Sequence, residues 1–158
     1  MKKILVTGIT GFIGRNILDS LTNKYGFFVT GIGRKNLDIE ANNKFNFIQV
    51  NLNSLDEIKF ENDYDTLIHI AGSNDILSRD FDLALNGTLF TTNNLLNKLV
   101  GRVKKIIYFS TAQVYGYQKI VNDETKANPI NDYGLTHYYS EVLYKAALVP
   151  HHLHKNLQ

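Results

Sequence analysis

Short apolar runs alternate with longer amphipathic stretches along most of the chain. Five of these runs predict β-strands, at residues 3–7, 27–32, 45–50, 66–70 and 105–109. Most of them are continuously apolar instead of alternating with polar residues, which is typical of strands that are covered on both faces. The pattern therefore predicts βαβ units that build a parallel sheet.

The stretches between the runs carry the periodicity of helices. Apolar residues form one stripe between Ile13 and Leu21 and a second between Phe81 and Leu99, and residues 131–148 predict a final helix. Because crossovers between parallel strands are right-handed, the simplest arrangement is a doubly wound α/β sheet with strand order 3-2-1-4-5. We therefore predict a Rossmann-like domain.

Composition narrows the class of protein. The 158 residues suit one domain, and 44% hydrophobic with 20% charged residues is ordinary usage for a chain that folds in water. The chain has no cysteine, which excludes disulfides, thiolate metal sites and a cysteine nucleophile. No apolar run approaches the ~18 residues of a membrane span, and the net charge of +2 is spread along the chain. We expect a cytoplasmic protein that binds small molecules and neither a membrane nor nucleic acid.

A glycine-rich turn follows the first predicted strand and opens the first predicted helix. Gly8, Gly11 and Gly14 are evenly spaced in VTGITGFIG. In a dinucleotide-binding turn the first glycine permits the tight turn, the second lets the pyrophosphate approach the backbone, and the third allows close packing of helix on strand. The helix N-terminus then faces the anion. This context predicts binding of NAD or NADP, and the alternative is a strand-to-helix turn without a ligand.

The end of the second strand bears on the choice of dinucleotide. An acidic residue there would accept a hydrogen bond from the ribose 2′-hydroxyl of NAD, but the sequence reads Gly33-Arg34-Lys35. An arginine at this place can hold the 2′-phosphate of NADP with charge-assisted hydrogen bonds. We predict that Arg34 favours NADP over NAD, and the alternative is that Arg34 and Lys35 are solvated loop cations.

Four separated motifs carry a resemblance to a known family. VTGITGFIG, DTLIHIAG, FSTAQVYG and YGLTHYYSE occur in the order and spacing of the extended short-chain dehydrogenase/reductase family, in particular its nucleotide-sugar epimerases, dehydratases and reductases. The resemblance covers most of the chain. It implies an NAD(P)-dependent epimerase or oxidoreductase that acts on a nucleotide sugar, and a homodimer formed through the last two helices of the domain.

The resemblance also implies cofactor contacts outside the three glycines. Phe12 and Ile13 would donate backbone N–H groups to the pyrophosphate, Asn51 and Leu52 would flank adenine with asparagine in place of the usual aspartate, and Ala71 and Gly72 would line the cofactor beyond the fourth strand. His69 lies inside that apolar strand, and we interpret it as a packed core histidine.

The catalytic positions that the resemblance implies are Thr111, Tyr133 and His137. The Thr111 hydroxyl would hydrogen-bond the reacting oxygen while Tyr133 passes the proton during hydride transfer. His137 stands where the family has a lysine that holds the nicotinamide ribose and lowers the tyrosine pKa, so we expect weaker activation of Tyr133. The alternative is structural: Thr111 closes a strand and Tyr133 is a half-buried aromatic residue. Ala112-Gln113, in place of the family's Asp-Glu, argues against a dehydratase.

Family members continue past this helix into a lobe that binds the nucleotide sugar, whereas this sequence stops at HHLHKNLQ. We interpret residues 1–149 as the dinucleotide-binding domain, residues 150–158 as a tail, and the substrate lobe as missing. Three histidines in the tail have no carboxylate partners and do not predict a metal site. Two functions stay open, namely an enzyme of nucleotide-sugar metabolism and a dinucleotide-binding module without turnover.

Overall fold

The structure is a computed structural model that describes residues 1–58, 60, 63–73 and 80–147. Within those residues the helices and strands follow the predicted alternation. In chain order they are β1 (Lys3–Thr7), α1 (Phe12–Asp19), a π-helical segment (Ser20–Lys24), β2 (Phe28–Gly33), β3 (Phe45–Gln49), a 3₁₀ segment (Leu52–Glu57), β4 (Thr66–His69), α2 (Phe81–Ala84), a π-helical segment (Leu85–Phe90), α3 (Thr91–Leu99), β5 (Ile106–Tyr108), a 3₁₀ turn (Ala112–Tyr115) and α4 (Asp132–Ala147).

All neighbouring strands of the sheet are parallel and lie in the order β3-β2-β1-β4-β5. This confirms the predicted doubly wound α/β fold with strand order 3-2-1-4-5. β1 agrees with the prediction at both ends, whereas each other strand differs from it by one residue at one end or at both. Such differences arise because hydrogen bonding between strands, which the sequence does not display, sets where a strand ends.

Two hydrophobic layers cover the sheet, one on each face. Side chains alternate along a strand, so in β1 Leu5 belongs to one layer, whereas Ile4 and Val6 belong to the other. The layer around Leu5 contains residues of α3 and α4, and the layer around Val6 contains Leu18 of α1. Both faces are therefore buried, which explains why the strands read as continuous apolar runs.

The predicted helix between residues 81 and 99 is one helical run, in which π-helical residues join α2 to α3. The predicted final helix is α4. Its first turn is capped by Asn131, whose Oδ1 accepts a hydrogen bond from the Gly134 backbone N–H at 2.7 Å. Residue 148 and the tail from Pro150 onward lie outside the described residues, so the domain boundary at residue 149 stays a prediction.

Candidate functional site

The glycine turn lies among the carboxyl ends of β1, β2 and β4. Gly8 has a φ of 72°, and a Cβ atom there would lie 2.8 Å from the backbone nitrogen of Ala71. A Cβ atom at Gly14 would lie 2.4 Å from the Gly8 carbonyl oxygen. Glycine is therefore required at both positions, by the turn and by the packing of α1 on the turn, in the way expected of the first and third glycines.

Gly11 is different because the contacts around it come nearer to accepting a side chain. Its φ of −81° and ψ of 173° suit any residue. A Cβ atom would meet one described neighbour within 4 Å, the Gly8 carbonyl oxygen at 3.3 Å, and Gly11 is exposed. A Cβ atom at Gly11 would therefore require this carbonyl to shift by a few tenths of an ångström, much less than the contacts at Gly8 or Gly14 would require.

The N-terminus of α1 opens into the same space. Its first backbone hydrogen bond runs from the Arg15 N–H to the Gly11 carbonyl oxygen at 3.0 Å, so the N–H groups of Phe12 and Ile13 precede the hydrogen-bonded part of the helix. Arg15 Nε also donates to the Thr10 carbonyl oxygen at 3.0 Å and holds the turn. Backbone N–H groups at the positive end of a helix bind anions such as a pyrophosphate.

At the end of β2, Gly33 packs against the glycine turn. A Cβ atom there would lie 2.6 Å from the Thr10 Cγ2 atom, so packing accounts for the absence of an acidic side chain at this position. Arg34 is exposed, and its carbonyl oxygen accepts a hydrogen bond from Gln49 Nε2 at 3.3 Å. Arg34 thus directly follows the residue that packs on the turn, and it is exposed to solvent.

The residues after β3 are joined to the long helical run, since Asn53 Nδ2 donates to the Asn86 carbonyl oxygen at 3.0 Å and Asn94 Nδ2 donates to the Leu52 carbonyl oxygen at 3.3 Å. Leu52 is 5% exposed and packs in the hydrophobic layer around Leu5. The Asn51 side chain accepts a hydrogen bond from the Asn53 N–H at 3.1 Å and caps the 3₁₀ segment. The adenine contact expected of Asn51 and Leu52 stays a prediction.

Ala71 and Gly72 follow β4 and border the glycine turn. Ala71 makes the close approach to Gly8 described above. A Cβ atom at Gly72 would lie 3.6 Å from Thr88 Oγ1 and 3.8 Å from His137 Nε2. The structure thus brings together three predicted parts of the site: the glycine turn, the residues after β4, and His137 on α4.

His69 is a core residue, as predicted. Its side chain is fully buried. Its Nδ1 lies 2.7 Å from Thr7 Oγ1 and its Nε2 lies 3.4 Å from Thr92 Oγ1. Because hydroxyl groups engage both ring nitrogens, the imidazole stabilises the contact between β1, β4 and α3.

Thr111 lies at the carboxyl end of β5 and precedes the 3₁₀ turn. Its hydroxyl oxygen accepts a hydrogen bond from the Gln113 N–H at 3.2 Å, which leaves the hydroxyl able to donate its own proton. This turn is held against α4, since Asn131 Nδ2 donates to Gln113 Oε1 at 3.1 Å and a Cβ atom at Gly134 would lie 2.5 Å from the Gln113 carbonyl oxygen. Thr111 and the first turn of α4 are therefore tied together through Gln113.

Tyr133 and His137 stand four residues apart on α4 and share one face. Their ring centroids are 4.6 Å apart. His137 is 5% exposed, and its Nδ1 lies 2.6 Å from the Tyr108 hydroxyl oxygen. Its Nε2 is buried, and the backbone of Ser73 acts on the imidazole through a hydrogen bond. The imidazole is thus packed beside Tyr133, with one nitrogen held by Tyr108 and the other facing Gly72.

Three residues of this site are not among those predicted from the sequence, namely Tyr108, Gln113 and Gly134. Tyr108 reads as an ordinary strand residue, and only the fold brings its hydroxyl to His137. Gln113 lies in a recognised motif, but its bond to Asn131 joins two elements that are separate along the chain. Gly134 carries a signal, because a glycine inside a helix costs about 1 kcal/mol relative to alanine and so indicates a close contact.

The sequence model of the NAD dependent epimerase/dehydratase family matches residues 4–149. The chain belongs to this family. The matched range contains the glycine turn, α4 and, apart from Lys3 at the start of β1, the five described strands, so every residue of the candidate site lies within it.

Individual relatives and solved structures agree with this assignment. The chain is 28% identical to a GDP-6-deoxy-D-talose 4-dehydrogenase of Aggregatibacter actinomycetemcomitans, over 88% of this chain and 46% of the relative. It is 28% identical to a UDP-glucose 4-epimerase of Azospirillum brasilense, over 96% of this chain and 46% of the relative. Its structure resembles that of MoeE5 in complex with UDP-glucose and NAD, with a TM-score of 0.82 and 26% identity over 92% of this chain and 48% of that one. The chain spans about half the length of the curated relatives it matches.

In this member of the family, burial sets the charge of both described histidines. Burial lowers the pKa of His137 from 6.5 to about 4, although the backbone of Ser73 acts in the opposite direction. Burial, assisted by His137, lowers the pKa of His69 from 6.5 to about 3. Both imidazoles are therefore neutral at pH 7. An ordinary histidine would already be mostly neutral there, and burial strengthens the expectation that His137 places no cation beside Tyr133.

We expect the free energy of unfolding to fall as the pH is lowered from about 6.5 to about 4. The unfolded histidines take up protons near their ordinary pKa of 6.5, whereas folded His137 and His69 stay neutral until about pH 4 and pH 3. The unfolded state thus binds more protons in this window, so acid favours unfolding. Urea unfolding at a series of pH values measures the effect. His137→Gln should flatten the pH dependence, and an unchanged slope would contradict the burial of a neutral His137.

Other kinds of site have less support. Among the described residues, no group of three or more histidine, cysteine or acidic side chains could hold a metal ion. In the same part of the chain, no helix is both long and apolar enough to cross a membrane. A cavity of about 510 Å³ lies beside α1 and the start of β3, where Leu18 and Phe45 line it, and no residue from Gly8 to Gly14 contributes to it. The glycine turn, with its exposed Gly11 and the adjoining N-terminus of α1, is the candidate cofactor site.

Proposed function

We propose that this chain is the dinucleotide-binding part of an NAD(P)-dependent epimerase or oxidoreductase that acts on a nucleotide sugar. The observation that supports this most is a shared edge of the sheet. The glycine turn, Gly72 and Thr111 follow the carboxyl ends of strands, and His137 contacts this edge together with Tyr133. Ligands of doubly wound sheets bind at this edge.

The chain's own residues fit a dinucleotide in two respects. Gly11 is exposed, and the one described atom that a Cβ there would meet within 4 Å is the Gly8 carbonyl oxygen. The N–H groups of Phe12 and Ile13 precede the hydrogen-bonded part of α1. Phe12 and Ile13 would hold the pyrophosphate through backbone N–H groups, and Gly72 would border the cofactor. When bound, the dinucleotide supplies the hydride acceptor and donor.

Proton transfer would fall to the side chains after β5 and on α4. The Thr111 hydroxyl would donate a hydrogen bond to the reacting oxygen of the sugar, and Tyr133 would take or return the hydroxyl proton. His137 is neutral at pH 7, so it would not lower the tyrosine pKa as a cation would. The protein would therefore work with a weakly activated Tyr133.

We propose NADP as the preferred dinucleotide. The exposed Arg34 lies beside the turn, where a guanidinium can bind a 2′-phosphate with two charge-assisted hydrogen bonds. Gly33 packs on Thr10, so an acidic residue that would select NAD has no room there. The MoeE5 structure contains NAD, which describes the cofactor of MoeE5 and does not decide which dinucleotide this chain prefers.

Arg34→Gln should weaken NADP binding about tenfold or more and leave NAD binding nearly unchanged, because hydrogen bonds to charged groups contribute about 1.5–3 kcal/mol. Isothermal titration calorimetry with both dinucleotides measures the two affinities. Lys35→Gln is the matched control, since it removes the neighbouring exposed cation. Gly33→Asp would be a less specific test of the same preference, because its Cβ would lie 2.6 Å from Thr10 Cγ2. Equal affinities of the wild type for NAD and NADP would contradict the preference.

The second candidate is a dinucleotide-binding module without turnover. The replacement of the family's lysine by a buried, neutral His137 favours it. Both candidates bind NAD(P) through the same turn, so binding does not separate them. Reduction or oxidation of the nicotinamide in the presence of a nucleotide sugar separates the enzyme from the binding module.

A titration with NADP, NAD and a panel of nucleotide sugars tests the proposed function directly. We expect saturable binding of the dinucleotide, and turnover with at least one nucleotide sugar if the enzyme interpretation holds.

A cytoplasmic location and a homodimer through the last two helices of the domain belong to the same proposal, and sedimentation velocity tests the dimer. If neither NAD nor NADP binds the folded chain, the proposed function is wrong.

A further inference from the structure

The Asn131 side chain joins the two segments that carry the proposed proton-transfer residues. Its Oδ1 accepts a hydrogen bond from the Gly134 N–H at 2.7 Å and caps α4, and its Nδ2 donates to Gln113 Oε1 at 3.1 Å. Asn131 lies two residues before Tyr133, and Gln113 lies two residues after Thr111. One amide group therefore connects the segment of Tyr133 with the segment of Thr111.

The backbone N–H of Gly134 fixes the direction of this bridge. A backbone N–H can only donate, so the Asn131 oxygen faces Gly134 and the Asn131 NH₂ group faces Gln113. An amide NH₂ group also can only donate, so the Gln113 oxygen is the acceptor. A carboxylate oxygen at position 113 would accept the same hydrogen bond, whereas a side chain without an oxygen acceptor would lose it.

Backbone contacts transmit the position of Gln113 to Thr111. A Cβ atom at Gly134 would lie 2.5 Å from the Gln113 carbonyl oxygen, so the first turn of α4 lies directly on the 3₁₀ turn. The Gln113 N–H donates to Thr111 Oγ1 at 3.2 Å, and the Val114 N–H donates to the Thr111 carbonyl oxygen at 3.2 Å. A displacement of Gln113 relative to α4 would therefore also displace the Thr111 hydroxyl.

Contacts along α4 order the turn that carries Tyr133. The buried Thr136 hydroxyl contacts the carbonyl oxygens of Asp132 and Tyr133, at 2.9 Å and 3.1 Å. The Leu135 N–H donates to the Asn131 carbonyl oxygen at 2.9 Å. These contacts lie within the helix, so they do not set the position of Tyr133 relative to the segment after β5. That position depends on contacts between the two segments, such as the bridge from Asn131 to Gln113.

We propose that Asn131 is a positioning residue, which sets the placement of the Thr111 hydroxyl relative to the Tyr133 phenol through its bridge to Gln113. The roles of Thr111 and Tyr133 rest on the proposed function, whereas the bridge and its direction do not. Two groups that act on one reacting oxygen need a fixed spacing, because a misplacement of about 1 Å can lower a rate about a hundredfold. Loss of the bridge lowers turnover in this scheme and leaves dinucleotide affinity nearly unchanged.

Proton–nitrogen NMR of the side-chain amides in the full chain without ligand tests the bridge. We expect slowly exchanging NH₂ protons for Asn131, assigned by their absence in Asn131→Ser. Gln113→Met should shift these signals to those of a solvated asparagine, because methionine is as long as glutamine and lacks the oxygen acceptor. Gln113→Glu should keep the Asn131 protons hydrogen-bonded. Unchanged Asn131 signals in a folded Gln113→Met, or released Asn131 protons in Gln113→Glu, would overturn the bridge.

The Gly134 N–H signal provides a check of the fold in the same spectra. It should stay protected from exchange in all three variants, because serine also caps helices and the two substitutions at position 113 leave the cap untouched. Serine is too short to reach Gln113, so Asn131→Ser removes the bridge and keeps the cap.

Steady-state kinetics with one accepted nucleotide sugar, together with calorimetry, tests the positioning role. Asn131→Ser and Gln113→Met should each lower kcat about ten- to a hundredfold, while the dissociation constant of NADP changes less than about twofold. Gln113→Glu should have a kcat about tenfold above that of Gln113→Met, because it keeps the bridge. Asn122→Ser is the matched control and should turn over like the wild type, since exposed Asn122 also accepts from a backbone N–H, that of Glu124 at 3.1 Å.

Wild-type kcat in a folded Asn131→Ser or Gln113→Met would overturn the positioning role. Equal losses of kcat and of dinucleotide affinity would overturn it as well, because they would indicate a general disturbance of the site. If the wild type binds a dinucleotide and turns over no nucleotide sugar, the enzyme interpretation and the positioning role fail together. If it binds neither NADP nor NAD, the proposed function fails, while the amide spectrum still decides whether the bridge exists.

Discussion

Gly11→Val should abolish dinucleotide binding while the domain stays folded. The backbone angles at Gly11 suit valine, and the Gly8 carbonyl oxygen at 3.3 Å is the one described atom that an added Cβ would meet within 4 Å. The valine side chain would instead occupy the open space in which the pyrophosphate would contact the N–H groups of Phe12 and Ile13. Loss of two hydrogen bonds to a charged group corresponds to about a hundredfold weaker binding or more. Calorimetry with NADP and NAD measures the loss, and circular dichroism checks the fold.

Two neighbouring variants make this result specific. Gly11→Ala should give an intermediate affinity, because its single methyl group fills less of the same space. Gly14→Ala should instead lower the free energy of unfolding, because its Cβ would lie 2.4 Å from the Gly8 carbonyl oxygen. Unchanged affinity in a folded Gly11→Val would show that the pyrophosphate does not bind at this turn.

Tyr133→Phe should lower turnover by about 10²- to 10⁴-fold, the usual contribution of a positioned acid or base. This expectation rests on the proposed function and requires one nucleotide sugar that the protein accepts. The dinucleotide affinity should hardly change, because the proposed cofactor contacts lie on the glycine turn and after β4. Initial rates together with calorimetry separate the two effects. Full turnover in Tyr133→Phe would show that another group transfers the proton.

His137→Lys should raise the rate of the same reaction near pH 7. Wild-type His137 carries a charge only below about pH 4. The turnover rate of the wild-type protein should therefore show no step from the ionisation of this histidine between pH 5.5 and 8. A lysine ammonium beside Tyr133 would lower the tyrosine pKa, and each unit of that shift makes about ten times more tyrosinate available. His137→Gln is the matched control, since its side chain is neutral at every pH. A wild-type rate that steps near pH 6.5 would contradict the neutral His137. If no variant turns over, the binding-module interpretation becomes the better one.

Local periodicity and residue chemistry are enough to predict the architecture of this protein, and they propose where its site lies. Apolar runs between amphipathic stretches predict a parallel sheet, and the right-handedness of crossovers leaves the observed strand order as the simplest one. Evenly spaced glycines after the first strand predict the turn, because only glycine permits its backbone angles and close contacts. His69 is recognisable as a core residue from the apolar strand around it. These features depend on neighbours along the chain or on rules that hold for every L-polypeptide.

Contacts between segments that are distant along the chain determine which glycines the packing requires and the environment of His137. The three glycines look alike in the sequence, yet the contacts that a Cβ would make are severe at Gly8 and Gly14 and milder at Gly11, because only the folded chain brings Ala71 and α1 against the turn. The low pKa of His137 follows from burial, and its Nδ1 lies against the hydroxyl of a residue that is 29 positions away along the chain. Desolvation and hydrogen bonding are set by distances in space, and residue spacing in the sequence does not contain those distances.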